Sequence, residues 1–207
     1  EAMMTGDISH VPAQYYEEKE VVTGPVVRFL PLDKVNTRVN IPLRFSVKNL
    51  PSGEVVPLVK LELEREKLMH VIGVRDDLNE FFHIHPTPLG ATGDFAVSYV
   101  FRQPGRYKIW SQVQLDGVIY TFAHEPIVVS GGGEQSNKQV YFGRNAIVGN
   151  YQVTLDLPAT VTTGSVYDFS FDIHTVTGEE ITVENYLGTP MHLAIISDDL
   201  KQFIHTH

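Results

Sequence analysis

Apolar positions come in short runs along this chain, many of them alternating with polar ones. The runs lie at Val21–Leu30, Val39–Lys48, Val55–Leu63, Leu68–Arg75, Glu80–His85, Phe95–Phe101, Arg106–Leu115 and Val118–Val129. Alternation sends successive side chains to opposite faces of an extended backbone, so each run is expected to be a strand. Turn formers separate them: Pro31, Pro51-Ser52-Gly53, Gly90-Ala91-Thr92-Gly93-Asp94, Pro104-Gly105 and Asp116-Gly117. Asp-Gly between apolar runs is a strong hairpin signal, because both residues tolerate the positive φ of a two-residue turn. Strands recurring every ~10 residues with almost no helical periodicity predict an antiparallel β-sandwich. The one weakly helical patch, Tyr15-Tyr16-Glu17-Glu18-Lys19-Glu20, falls in residues 1–20, which read as an N-terminal arm with a disordered tip.

Ser130-Gly131-Gly132-Gly133-Glu134-Gln135-Ser136-Asn137 is the clearest linker composition in the chain. It divides a first domain over 21–130 from a second over 139–207, with 131–138 as the linker. The second domain is expected to hold strands at Val140–Phe142, Tyr151–Leu157, Val166–His174 and Glu180–Glu184, then Tyr186-Leu187-Gly188-Thr189-Pro190. The fold class expected is all-β, with two tandem Ig-like antiparallel sandwiches. Counterparts of the first domain's last strands are not seen before His207, so the expectation is either that the sequence is cut there or that strands come from another chain, by strand exchange or in a homo-oligomer, to cover open sheet edges.

One stretch occurs twice. Met69-His70 through His83-Ile84-His85 is repeated as Met191-His192 through His205-Thr206-His207, at an offset of 122 residues without a gap. Met-His, Asp-Asp-Leu, Phe and His-x-His coincide. Asp76-Asp77-Leu78-Asn79 is turn-forming, because Asp and Asn side chains bond to their own backbone. A two- or four-residue loop pairs Arg75 with Glu80 and therefore His70 with His85. His70, His83 and His85 then share one face, with directly opposed Cβ atoms about 5 Å apart and diagonal ones about 7–8 Å apart. A loop of three or five residues would send His70 to the other face. His192, His205 and His207 reproduce the pattern.

Composition narrows the chemistry. There are no cysteines among 207 residues, so disulfides and thiolate ligands are excluded. A net charge of −9 argues against nucleic acid or an anionic membrane surface as partner. No apolar run is long enough to span a bilayer. An apolar content of 43% supports a packed core. No Gly-rich phosphate loop precedes a helix, no Gly-x-Ser-x-Gly occurs, and no catalytic constellation stands out. A cupin site would need a Glu shortly after His-x-His, where this chain has Pro86-Thr87-Pro88-Leu89-Gly90.

Three imidazoles on one face suit zinc, copper, iron or nickel and leave a coordination position open. The bland alternative is a set of polar residues on a half-buried sheet. Met69 and Met191 precede a trio histidine and would favour Cu(I) as ligands, but strand alternation sends them to the core face. His124 would complete a site only if its strand folds beside the hairpin, and reads otherwise as an edge polar residue. His10 and His174 have no evident partners.

The motif His70-x6-Asp77-Leu78-x2-Phe81-x-His83-x-His85-Pro86 resembles one found in bacterial exported proteins associated with copper or heavy-metal handling. Glu184 through His207 resembles it further. Pro104-Gly105-Arg106-Tyr107 with Trp110-x-Gln112 is similar to the strand that follows the hairpin in those proteins. The resemblance implies Ig-like domains, export to the periplasm, cell surface or medium, and a metal ion as partner. The leading expectation is therefore an exported metal-binding protein, copper first and zinc second, with His70, His83, His85, His192, His205 and His207 as ligands. The alternatives are a non-catalytic adhesion or scaffold module with structural histidines, responding to pH near ~6.5, and a small metalloenzyme.

Overall fold

The structure, a computed structural model, describes residues 14–17, 20–30, 32–139 and 141–206. Among the described residues there is no α-helix, and the protein is nearly all-β with several antiparallel sheets. Backbone contacts divide the chain into two compact units. The first comprises Glu1–Lys138 together with Tyr186–His207, and the second Gln139–Asn185. The expected second domain, 139–207, is thus partitioned: its His-rich hairpin packs with the first unit.

Two sheets share the core of the first unit. One joins Gly24–Phe29, Asn40–Leu50, Asp94–Val100 and Thr87–Pro88 in that order, with Glu54–Val55 beside Asn40–Leu50. The other joins Val35–Asn36, Val118–Ser130, Gly105–Leu115, Met69–Arg75 and Phe81–Ile84. Leu43, Phe45, Val47 and Phe95 from the first meet Met69, Val71, Ile109 and Val113 from the second in one buried cluster. The Asp116-Gly117 hairpin forms as expected, with Leu115 opposite Val118 and both turn residues at positive φ (48° and 74°).

A third sheet explains a feature of the second. Gln14–Glu17, Gln202–Thr206 and Leu193–Ile196 form a three-stranded antiparallel sheet. Phe203 of this sheet stacks on Trp110, 5.2 Å between ring centroids, and Ile72 and Val74 join the same buried cluster. The strand Met69–Arg75 is therefore covered on both faces, and all seven of its residues are buried. A strand buried on both faces is chosen for apolarity at every position rather than at alternate ones. Val71-Ile72-Gly73-Val74 has that character, and the strand's polar residues, His70 and Arg75, are buried with hydrogen-bond partners.

Four sequence expectations are corrected. The patch around Tyr16 is strand over Gln14–Glu17, because it finds a sheet edge at Gln202–Thr206. The run Val55–Leu63 is broken into Glu54–Val55, a 3-10 turn at Leu58–Lys60 and Leu61–Glu62. Pro57, at φ −60°, starts that turn, and Lys60 N donates to its carbonyl at 2.9 Å. In the second unit, residues 141–142 carry no strand, and pairing begins instead at Asn145–Val148. That unit is one antiparallel sheet of Asn145–Val148, Tyr151–Asp156 and Ser170–Thr175. The Glu180–Glu184 run contributes a single bridge, Glu180 with His174.

Candidate metal centre

The site starts from the register of the first hairpin. Val71 faces Ile84, Ile72 faces His83, and Gly73 faces Phe82. Arg75 N donates to Glu80 O at 2.9 Å, which closes the four-residue loop expected from Asp76-Asp77-Leu78-Asn79. Leu78 takes the left-handed conformation (φ 67°), and its N donates to Arg75 O at 2.8 Å. Asp77 Oδ1 accepts from Asn79 N at 3.1 Å, so the turn function assigned to this Asp holds. With this register His70, His83 and His85 lie on one face, and Met69, fully buried, lies on the other in the core.

The second hairpin repeats the register and the turn hydrogen bonds of the first. Ala194 faces His205 and Ile196 faces Phe203, the same register shifted by the repeat offset. Ser197 N donates to Gln202 O at 3.0 Å, Leu200 N to Ser197 O at 2.9 Å, and Leu200 has φ 60°. Lys201 N donates to Asp199 Oδ1 at 3.0 Å, as Asn79 N does to Asp77.

The repeat also extends further back than its histidines. Glu64 and Lys67 exchange backbone hydrogen bonds of 2.9 and 3.0 Å, and Tyr186 and Thr189 do the same at 2.9 and 3.3 Å. Each turn places a carbonyl against a histidine. His70 Nε2 lies 2.8 Å from Glu64 O, and His192 Nε2 lies 2.9 Å from Tyr186 O. Sequence reading missed this turn because Glu64-Arg65-Glu66-Lys67 and Tyr186-Leu187-Gly188-Thr189 share no residue. The positive φ at Arg65, Glu66, Leu187 and Gly188 is what they have in common.

These contacts fix which ring nitrogen carries the proton. His70 Nε2 faces two acceptors, Glu64 O and Glu64 Oε2 (2.7 Å), so it donates and leaves the Nδ1 lone pair for the cluster. His192 Nε2 donates to Tyr186 O and likewise leaves Nδ1. His205 Nδ1 donates to Gln112 Oε1 at 2.7 Å, with Gln112 Nε2 donating in turn to Thr121 Oγ1 at 2.8 Å. Gln112 is the cross-strand partner of His70, so one residue of the first repeat orients a histidine of the second.

The two histidine faces meet. Ring centroids are 4.8 Å apart for His70–His85, 4.7 Å for His83–His85, 5.0 Å for His83–His205 and 5.7 Å for His83–His192. Two groups have one ligating atom from each member within 4.8 Å of the others: His70 with His83 and His85, and His83 with His192 and His205. His83 belongs to both. His207 lies outside the described residues, as does His10. The two trios that the sequence places in separate domains are therefore brought, in their described members, to one place in one unit.

His70 Nδ1 and His83 Nε2 are 3.1 Å apart. Two imidazole nitrogens bound to one tetrahedral ion at about 2.0–2.1 Å would be roughly 3.3 Å apart. His85 Nε2 is buried without a hydrogen-bond partner. Its pKa falls to about 4, chiefly through burial and then through the neighbouring His70 and Lys67, so at neutral pH it keeps its lone pair.

Three other singled-out residues lie elsewhere. His124 is not in the cluster, and although its strand is paired on one side only at this point, its side chain is not exposed. It is buried against Phe29 and Phe45, and its Nε2 lies 2.8 Å from Ser111 Oγ. His174 sits in the second unit with Nε2 2.8 Å from Asp172 Oδ1. Asp76 accepts a hydrogen bond from Ser136 Oγ of the linker.

No helix among the described residues is long and apolar enough to cross a membrane. No curated protein matches the chain. A family model does: residues 20–129, which carry the first hairpin and Gln112, match a domain of unknown function (DUF8832), and the chain belongs to that family.

Proposed function

We propose that this protein binds a transition-metal ion, copper first and zinc second, through the histidine face of its hairpins. The observation that carries the reading is the convergence of His70, His83 and His85, with ligating atoms mutually within 4.8 Å. Glu64, Tyr186 and Gln112 hold His70, His192 and His205 from outside in the manner of outer-shell partners, and turn their remaining nitrogens to the cluster. With Met69 in the core the nearby donors are imidazoles, which suit Cu(II) and Zn(II). At a given nitrogen site copper binds the tighter of the two.

The two sheets around one core support an Ig-like sandwich for residues 20–129. The motif resemblance supports export to the periplasm, cell surface or medium, with the metal ion as the primary partner. The competing reading, a non-catalytic adhesion or scaffold module, makes the histidines structural.

Elemental analysis of untagged protein dialysed against Cu(II) or Zn(II) decides between them. Retained metal, lost in the His83→Ala/His85→Ala double variant, is the expected result and gives the preferred ion. A chain that keeps neither ion sinks the binding reading in favour of the scaffold.

A further inference from the structure

Resting on the metal reading, we propose that the ion is held between the two repeats and acts as a clasp that fastens the second hairpin to the first unit. The sequence suggests two separate trios, one for each repeat. The structure makes His83 a member of both groups. A neutral imidazole gives one lone pair to one ion, so an ion that takes His83 into one group removes it from the other. The two groups are parts of a shared centre, with ligands from strands more than a hundred residues apart in the chain.

The second hairpin has limited means of staying docked. Its inward face carries Phe203, stacked on Trp110, with Ala194, Ile196 and Leu200 packed beside it only partly buried, and His205, bonded to Gln112. Every residue of Leu193–Ile196 remains half-buried, in contrast to Met69–Arg75. Metal bonds from His192 and His205 exist only when the hairpin is docked. An ion that binds the docked form better shifts the docking equilibrium by the ratio of its affinities for the two forms. By linkage, docking tightens the ion by the same factor. Metal occupancy and the position of residues 186–207 are thereby coupled, and the surface around Trp110 is covered or exposed according to the ion.

The test is hydrogen exchange of the amides in Leu193–Ile196 and Gln202–Thr206, in the full chain, with and without Cu(II), with Zn(II) in parallel. Metal content is measured on the same samples. The expected result is about one ion per chain and exchange slowed tenfold or more by metal. In the His192→Ala/His205→Ala variant an ion is still retained through His70, His83 and His85, more weakly, and the slowing disappears. His192→Ala alone, which keeps the Gln112–His205 bond, is the second variant, and it too should lose most of the slowing. Metal bound by the unmodified chain without any slowing overturns the clasp. So does a content of about two ions that falls to one in the double variant, with the remaining ion's affinity unchanged. Failure of the unmodified chain to retain metal overturns the metal reading itself, and the clasp with it.

Discussion

Gly73 shows how one residue divides the two repeats. It faces Phe82 across the first hairpin, and a Cβ at Gly73 would lie 2.1 Å from Cζ of that ring. Phe82 is folded over the glycine and packed on Tyr99 at 4.3 Å, so the ring has no room to retreat. The second hairpin has Ile195 opposite Ile204 at the matching positions, where both residues have side chains of ordinary bulk. Gly73→Ala is expected to cost about 1–3 kcal/mol through overpacking. Urea unfolding monitored by tryptophan fluorescence measures it, and an unchanged midpoint would contradict the account. His124 makes the same point about burial. As one histidine in a polar-looking stretch it reads as an edge residue, and only packing between two phenylalanines gives it a core role.

At the scale of the element, the first hairpin's turn is fastened where the second's is exposed. Arg75 donates from Nε and Nη2 to the two carboxylate oxygens of Asp77, at 2.8 and 2.6 Å, with both side chains buried. Its Nη1 reaches Pro104 O and Glu134 O, and Asn137 N donates to Asp77 Oδ2. The Gly-rich linker is thus tied to the hairpin turn. Burial by itself would raise the Asp77 pKa, but the Arg75 hydrogen bonds and the backbone donors of Asn79 and Asn137 hold it at about 2. In the second copy Ser197 replaces Arg75 and bonds Asp199 at the surface. Arg75→Ala is expected to cost about 3–5 kcal/mol, because it leaves a buried carboxylate without its counter-charge. Equilibrium denaturation measures that loss. Ser197→Ala, as the control, should cost less than ~1 kcal/mol.

For the whole molecule the buried histidines set the response to acid. Burial, with smaller effects from Lys108 and Arg28, lowers His124 to about 3, and His85 stands at about 4. In the unfolded chain both take up protons as pH falls through ~6.5. Between that pH and about 4 the unfolded chain therefore binds more protons than the folded one, and stability falls as pH falls. Asp77 adds to the loss at lower pH, since its stabilisation is present above ~3.9 and disappears as pH drops towards about 2. Metal-free protein should show a lower urea midpoint at pH ~5 than at pH ~7.5, and His124→Phe should flatten the difference. A midpoint equal at the two pH values would contradict the buried, neutral assignment.

The sequence by itself determined what depends on neighbours along the chain. Most strand positions of the first unit followed from alternation and turn residues, with Gln14–Glu17 and the broken run Val55–Leu63 as exceptions. The common face of His70, His83 and His85 was expected from an even-length loop over Asp76-Asp77-Leu78-Asn79, because a period of two then leaves one arrangement, and the structure set that loop at four residues. Only the tertiary structure decided which surfaces meet. That Tyr186–His207 joins the first unit, that Gln14–Glu17 adds a strand to it, and that His83 stands between two groups of histidines all depend on contacts between distant segments. Such contacts are chosen by complementarity of whole faces, here Phe203 against Trp110 and His205 against Gln112, and no local pattern encodes that pairing.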